Sequence, residues 1–136
     1  MKEKSIVNVL VKKANSDLKV ARREFSNEDS ELEIVCFHLQ QFVEKYLKAF
    51  LFFKGKEPKK IHNIVFLLNE CILCDKEFEK YKDTKIIELN ECGVEIRYDD
   101  INEIEREFIE EVLKSVIDLK IKIENKINLS INFNFS

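Results

Sequence analysis

Apolar residues recur at three- and four-residue steps through most of the chain, which is the spacing of an amphipathic α-helix. The first segment keeps this pattern over residues 6–25, with lysines and Asp17 on its polar side. The second segment is longer, covers residues 30–54 and opens with the pattern of a capping box at Ser30. Gly55 follows it directly, and glycine is the residue that most often ends a helix. The pattern therefore predicts two long helices in the first half of the chain.

Shorter helical patterns occupy the second half of the chain. They predict helices over residues 61–74, 84–98 and 100–128. Residues 76–83 are expected to form a connection, either irregular or with a short helical turn. The loops between these segments are short, and short loops favour antiparallel neighbours. We therefore expect an all-α fold, an up-and-down antiparallel bundle of four to five helices, in a single domain over residues 1–128.

Residues 129–136 follow a different pattern, in which apolar and polar side chains alternate. A period of two residues is typical of a half-buried β-strand. A lone strand has no hydrogen-bonding partner inside a helical bundle, so it would have to add to the edge of another chain or to its counterpart in a dimer. The alternative is a frayed terminus, since chain ends are often poorly tied down. The sequence leaves both interpretations of this tail open.

The composition narrows the class of protein. Only 2 glycines and 1 proline occur among 136 residues, too few for the turns of an all-β fold or for a glycine-rich phosphate loop. The formal net charge of −3 gives no global attraction to nucleic acid or anionic lipid, so a contact with a polyanion must use a local patch. Neither a signal peptide nor an apolar run of membrane-spanning length is recognisable, and we expect a cytoplasmic protein without membrane contact.

Four cysteines, Cys36, Cys71, Cys74 and Cys92, fit half-buried structural thiols in a reducing compartment. Cys71 and Cys74 form a C-x-x-C pair, but a zinc site needs a second pair of ligands, and the other two cysteines stand apart in the sequence. No glycine-rich loop or histidine-based metal motif accompanies them. The sequence predicts neither a metal site nor a cofactor.

Candidate chemistry lies on the second helix. At about 100° per residue, His38, Gln41, Lys45 and Lys48 fall within one stripe beside the apolar face. A stripe at the border of the core can reach a cleft between helices, and ammonium, imidazole and amide groups are the donors that phosphate recognition requires. The alternative is a solvated flank of the helix, with a half-buried, hydrogen-bonded His38.

Two further groups of polar residues could join this stripe. The loop over residues 54–60 carries four lysines against one glutamate, and His62 follows near the start of the third helix, where free backbone amides favour anions. Arg97 and Tyr98 close the fourth predicted helix, where an arginine also serves as a simple C-terminal cap. The residues that we expect to converge on one groove are His38, Lys45, His62, Arg97 and Tyr98. Lys48 and the lysine loop over residues 54–60 are expected at its rim.

The second helix also predicts self-association. Residues 49–53 are apolar on every side of the helix, so some of them must face another subunit or a crossing helix. We therefore expect a homodimer.

The run over residues 36–51, CFHLQQFVEKYLKAFL, resembles the signature of the HEPN family, the higher eukaryotes and prokaryotes nucleotide-binding domain. The resemblance covers about residues 10–127, and further features fall in the order that the family has. These features are Ala14, Asp17, Leu18 and Ala21 on the upstream helix, Gly55 and Pro58 in the lysine loop, the run His62-Asn63-Ile64 with the pair Leu67-Leu68, and Arg97-Tyr98 before the last long helix.

The resemblance implies a bundle of four or five helices, usually a homodimer, and often a two-gene, toxin–antitoxin-like partnership with a small nucleotidyltransferase. Some members of the family are toxins that cleave RNA without a metal, using an arginine that is followed four to six residues later by a histidine. No arginine of this chain has a histidine at that distance. Asn102 stands at the corresponding spacing after Arg97, and an amide cannot carry a proton near neutral pH.

Three functions stay open on the sequence. The first is a non-catalytic HEPN-type subunit that binds a nucleotide or an RNA phosphate and pairs with a nucleotidyltransferase. The second is a HEPN ribonuclease with an atypical motif, in which His38 or His62 replaces the missing base. The third is a purely structural dimeric bundle. The missing histidine favours a binding protein over an enzyme, so no catalytic residue is assigned. The expected ligand-binding residues are His38, Gln41, Lys45, Lys48, His62, Arg97 and Tyr98.

Overall fold

Helices form every regular element in the part of the chain that the structure describes. This structure is a computed structural model that describes residues 2–58, 60–92 and 104–135, and it places the side chains of residues 5–58, 60–92 and 104–128. The predicted all-α class is confirmed. The elements are α1 (Lys2–Phe25), α2 (Leu32–Phe53), α3 (Ile64–Cys74), two 3-10 helices (Lys76–Asp83 and Lys85–Glu91) and α4 (Arg106–Phe135).

The central element is α2, which contacts α1, α3, α4 and the second 3-10 helix. Its apolar residues are buried on nearly every side, among them Leu39, Phe42 and Phe50 with no exposed surface. Burying a side chain of this size stabilises the fold by roughly 1.5–3 kcal/mol. The predicted crowding of apolar residues around this helix is thus largely absorbed by its neighbours within one chain.

The start of α2 differs from the prediction. The helix begins at Leu32, and the side chain of Ser30 does not cap it. Instead, Ser30 Oγ accepts a hydrogen bond of 2.7 Å from Arg106 at the start of α4, and the same guanidinium donates to the carbonyl oxygen of Phe25 at 2.9 Å. The predicted capping box is therefore wrong. The Ser30 oxygen accepts its hydrogen bond from Arg106, which is distant in sequence, and not from the backbone at the start of α2.

The end of α2 follows the prediction. Gly55 has a φ of +80°, a conformation that residues with a Cβ atom adopt only at a cost. Its backbone N–H donates to the carbonyl oxygen of Phe52 at 2.9 Å, and the N–H of Lys56 donates to that of Leu51 at 2.9 Å. This pair of hydrogen bonds is the Schellman motif, which satisfies the last free carbonyl groups of a helix.

The predicted α-helix over residues 84–98 is wrong in its described part. Two 3-10 helices replace it and the preceding connection, and Thr84 separates them in an extended conformation (φ −106°, ψ 168°). The buried residues are Phe78 with Tyr81 in the first, and Ile86 with Leu89 in the second. A spacing of three residues aligns side chains on one face of a 3-10 helix, which has three residues per turn, whereas a longer α-helical stripe would also need positions four residues on.

The last helix is longer at its C-terminus than predicted. It begins at Arg106 and continues to Phe135, where the alternating pattern of residues 129–136 had suggested a strand or a frayed end. The strand interpretation is wrong as far as Phe135. A helix satisfies its backbone groups within itself, whereas an isolated strand leaves them without partners. None of the described helices is long and apolar enough to cross a membrane.

The cysteines do not all remain thiols. Cys36, on α2, and Cys92, after the second 3-10 helix, form a disulfide with a Cα–Cα distance of 5.7 Å. Cys92 follows Cys36 by 56 positions in the sequence, a distance at which no local pattern indicates a pair. Cys71 is buried, and burial raises the pKa of its thiol, so this cysteine is an unreactive core residue.

Candidate functional site

One side of α2 carries a continuous set of partly or fully buried polar residues, which we call the polar arc: His38, Gln41, Glu44, Lys45 and Lys48. Four of them were predicted from their spacing, and Glu44 was not. The side chains of His38 and Lys45 are 25% exposed, and that of Lys48 is 15% exposed. His38 is half-buried and hydrogen-bonded, as the alternative interpretation had it, but the flank as a whole is not solvated.

Asp17 on α1 organises the first half of the polar arc. Its Oδ1 atom lies 2.8 Å from Nδ1 of His38, and its Oδ2 atom accepts a hydrogen bond from the ammonium group of Lys45. Asp17 can face α2 because Ala14 and Ala21 are fully buried on the neighbouring face of α1 and keep the two helices close. With Nδ1 held by the carboxylate, the Nε2 atom of His38 is left for another partner.

Glu44 organises the second half of the polar arc. Its Oε1 atom accepts a hydrogen bond of 3.1 Å from Lys48, one turn further along α2, and also contacts Nδ1 of His62. The side chain of Glu44 is 5% exposed, whereas that of His62 is 74% exposed. His62 therefore contacts a buried carboxylate through Nδ1, while most of its side chain is exposed to solvent. The Oε2 atom of Glu44 is buried without a hydrogen-bond partner among the described residues.

Formal charges balance within the arc and its partners. Asp17 and Glu44 carry two negative charges, and Lys45 and Lys48 carry two positive charges. Each ammonium group has three N–H donors, of which one is used by a carboxylate. The remaining donors and the two Nε2 atoms stay available to a ligand, and Gln41 adds an amide that donates to Gln40 at 3.3 Å.

The lysine loop lies at the end of α2. Lys54 places its ammonium group 5.7 Å from the ring centre of Phe50 and 5.9 Å from that of Phe53. Lys56 and Lys60 are exposed. None of these three lysines forms an ion pair within the described part of the chain, so the loop keeps a local positive charge.

The structure brings four of the predicted residues together in pairs, and their convergence on one groove stays a prediction. His38 meets Lys45 at Asp17, and His62 meets Lys48 at Glu44, so four predicted residues form two neighbouring clusters. Arg97 and Tyr98 lie outside the described residues, and their place in the groove stays a prediction.

The hydrophobic pattern of the sequence does not predict the two carboxylates of the site. Glu44 precedes Lys48 by four residues, the spacing at which a glutamate and a lysine pair on a helix, and this signal could have found it. Asp17 belongs to the upstream residues that carry the resemblance, but the hydrophobic pattern placed it on the polar side of α1. Its contact with α2 depends on how two helices pack, which no local pattern contains.

A second polar network lies between α1 and α4. Asn15 donates to the hydroxyl oxygen of Tyr46 at 3.0 Å, and this hydroxyl donates to Glu124 at 3.1 Å. Lys120 donates to the same carboxylate. Burial, the largest cause, and the neighbouring Glu124 raise the pKa of Tyr46, so the phenol stays protonated. This network ties three helices together.

Comparison with known protein families agrees with the all-helical fold. Among the described residues, no three His, Cys, Asp or Glu side chains are grouped so that they could hold a metal ion. The HEPN domain model matches residues 7–124, a range that includes most of α1, all of α2, α3 and both 3-10 helices, and most of α4. The chain belongs to the HEPN domain family. No curated protein and no solved structure gives a significant match to it.

Proposed function

We propose that this protein is a non-catalytic HEPN subunit that binds a nucleotide or an RNA phosphate through the polar arc. The observation that carries the proposal is the set of donors that the two clusters leave unused on one side of α2. They are the spare N–H groups of Lys45 and Lys48. The Nε2 atoms of His38 and His62 add to them when the imidazoles are protonated, and accept a hydrogen bond otherwise.

The carboxylates limit how strongly such a site binds. Asp17 and Glu44 hold the lysines in place, which lowers the entropy cost of binding, but they also oppose an incoming anion. Binding should therefore be weak. The affinity should also fall steeply with salt concentration, since the ion pairs that Asp17 and Glu44 form with the lysines lie near the surface. Arg97 and Tyr98 would complete the site, because a guanidinium makes paired contacts with a phosphate that a lysine cannot make.

The absence of the arginine–histidine spacing supports a binding role. Cleavage of RNA needs a group that removes the 2′-hydroxyl proton near neutral pH, and no arginine of this chain is followed by a histidine at four to six residues. The proposal includes a homodimer and a small nucleotidyltransferase partner in a two-gene, toxin–antitoxin-like system. Light scattering tests the first, and co-purification with the product of a neighbouring gene tests the second.

The deciding experiment is a titration of AMP and of a short RNA, followed by fluorescence anisotropy or calorimetry at low and at physiological salt. We expect Lys45→Gln and Arg97→Ala each to weaken binding about tenfold, the effect of one charge-assisted hydrogen bond. The matched control is Lys82→Gln, which removes an exposed lysine on the first 3-10 helix. Equal affinities for wild type and the Lys45→Gln variant would refute the proposal, and no binding at low salt would leave a structural bundle.

A ribonuclease is the second candidate, and the contact between Asp17 and His38 favours it. A carboxylate that holds Nδ1 of an imidazole directs Nε2 outward as a base, which is the arrangement that general-base catalysis uses. The same RNA, incubated with EDTA and analysed for fragments, separates the candidates. Cleavage that is lost in both His38→Gln and Arg97→Ala would establish the enzyme and reject the non-catalytic subunit.

A further inference from the structure

A row of cations runs along α1 on the side away from the polar arc. Lys12, Lys19 and Arg23 are all exposed and follow one another at seven and four residues. At about 100° per residue these three positions fall within about 40° of one another, and at about 1.5 Å per residue they span about 16 Å. We call these three residues the basic stripe. Lys13 and Arg22, also exposed, flank it.

The basic stripe is not neutralised by carboxylates of the described part of the chain. None of its three residues forms an ion pair there, although other lysines of the protein do. The two carboxylates of the same stretch are engaged elsewhere. Asp17 contacts the polar arc, and Glu24 accepts a hydrogen bond of 2.8 Å from the backbone N–H of Glu31. A concentrated positive charge therefore remains on a chain whose net charge is −3.

The chemistry of this surface fits a polyanion better than a protein partner. Protein interfaces are enriched in aromatic residues and methionine and depleted in lysine. The exposed described positions of α1 hold no aromatic residue and no methionine, and their large apolar side chains are Ile6, Val9 and Val20. Without an aromatic ring, the surface cannot stack bases either, so only the charged backbone of a nucleic acid remains to be recognised.

We propose that the basic stripe binds the phosphodiester backbone of a nucleic acid strand without reading its bases or its sugar. This inference does not rest on the proposed function. Asp17 lies about 120–160° around α1 from the three residues of the stripe, so the polar arc and the stripe are separate surfaces. The stripe would hold an extended strand, whereas the polar arc would hold a single phosphate group.

The test compares two triple variants in binding to a labelled single-stranded oligonucleotide over a range of salt concentrations. The first variant is Lys12→Gln with Lys19→Gln and Arg23→Gln. The control is Lys76→Gln with Lys82→Gln and Lys114→Gln, three exposed lysines without described ion pairs on other elements. Each variant lowers the formal net charge of −3 by three units, so a difference between them reports position and not total charge.

Three phosphate contacts predict a slope of log K against log salt that is about 2 units shallower in the stripe variant, and an affinity at low salt that is at least about tenfold weaker. The control variant should keep the wild-type slope to within about half a unit. RNA and DNA of the same sequence should bind wild type equally to within about twofold, because the contacts go to phosphates. Circular dichroism should give the wild-type helix content for both variants, since these exposed side chains are not packed in the core.

Four results would overturn the proposal: equal loss in the two variants, an unchanged slope in the stripe variant, a strong preference for RNA over DNA, or binding by the stripe only to vesicles of anionic lipid. The Lys45→Gln variant separates this proposal from the previous one. It should lose affinity for AMP and keep the slope of log K against log salt for the oligonucleotide to within about 0.7 unit, the change expected for one phosphate contact. The stripe variant should bind AMP as wild type does.

Discussion

Asp17 Oδ1 lies 2.8 Å from Nδ1 of His38, and this contact joins the outer helix α1 to the polar arc of α2 across 21 residues of sequence. The same carboxylate also accepts from Lys45. One aspartate thereby fixes the orientation of an imidazole and of an ammonium group, and its negative charge offsets the ammonium. In the proposed function, the balance between these two effects sets how tightly the arc binds an anion.

The first prediction concerns Asp17→Asn. The substitution keeps the shape of the side chain and removes the negative charge next to Lys45. We therefore expect AMP and short RNA to bind about three- to tenfold more tightly. This change in affinity corresponds to an effect on the order of 1 kcal/mol for one charge at this separation. The thermal midpoint should fall, because two charge-assisted contacts between α1 and α2 are weakened.

The control for this prediction is Asp83→Asn, which removes an exposed carboxylate at the end of the first 3-10 helix. It should change neither affinity nor stability measurably. Weaker binding in the Asp17→Asn variant would show that orientation of His38 and Lys45 matters more than the local charge.

The second prediction compares two buried tyrosines. The hydroxyl of Tyr46 accepts from Asn15 and donates to Glu124, whereas that of Tyr81 donates to Asp118 at 2.7 Å, and the Asp118 side chain is 53% exposed. We expect Tyr46→Phe to lower the free energy of unfolding by about 1–2 kcal/mol, since Asn15 and Glu124 each lose one hydrogen bond at a partly buried position. Tyr81→Phe should cost less than about 1 kcal/mol, because water can replace the hydroxyl at Asp118. Urea denaturation measures both, and the reverse order would contradict this account.

The fold was predictable where a long apolar stripe repeats at helical spacing. α1 and α2 match their predicted segments to within a few residues because buried positions such as Leu18 and Leu39 recur over several turns. The 3-10 helices were missed because Phe78 with Tyr81, and Ile86 with Leu89, supply a single spacing of three residues that fits both helix types. Three-residue steps alone do not distinguish them.

The site was predictable in its positions on one helix and not in its partners across helices. His38, Lys45 and Lys48 could be placed on one stripe because their relative angle depends only on helix geometry. The contact of Asp17 with this stripe depends on the packing of α1. Glu44 is a charged residue at a buried position, where apolar residues are the usual occupants.

The third prediction concerns Gly55 at the end of α2. Its φ of +80° is costly for any residue with a Cβ atom, and no heavy atom lies within 4 Å of the place that a Cβ would occupy. We therefore expect Gly55→Ala to lower stability by about 1 kcal/mol through backbone strain alone. Gly55→Asn should cost clearly less, since asparagine tolerates the left-handed conformation. Equal losses for alanine and asparagine in thermal denaturation would point to a role of Gly55 other than its backbone conformation.

The fourth prediction concerns the effect of acid on the contact between α4 and the first 3-10 helix. Lys126 donates to Asp75 and to Glu77, and these hydrogen bonds are the main cause that lowers the pKa of both carboxyl groups. A carboxyl group whose pKa is lower in the folded than in the unfolded chain stabilises the fold above its ordinary pKa, and this contribution is lost as the pH falls through the folded value. We therefore expect the free energy of unfolding to decrease below about pH 4, the ordinary range of these groups.

The Lys126→Gln variant tests the origin of this acid sensitivity. It should be less stable than wild type at pH 7, where Asp75 and Glu77 lose their cationic partner. It should also depend less on pH between about pH 5 and pH 2.5, because the pKa values of the two carboxyl groups return toward their ordinary range in the folded state. Lys114→Gln, an exposed lysine on the same helix, is the matched control and should keep the wild-type pH dependence. Parallel stability curves for wild type and Lys126→Gln would assign the acid sensitivity to other carboxylates, first to Asp118, whose pKa is lowered by Lys80 and Tyr81.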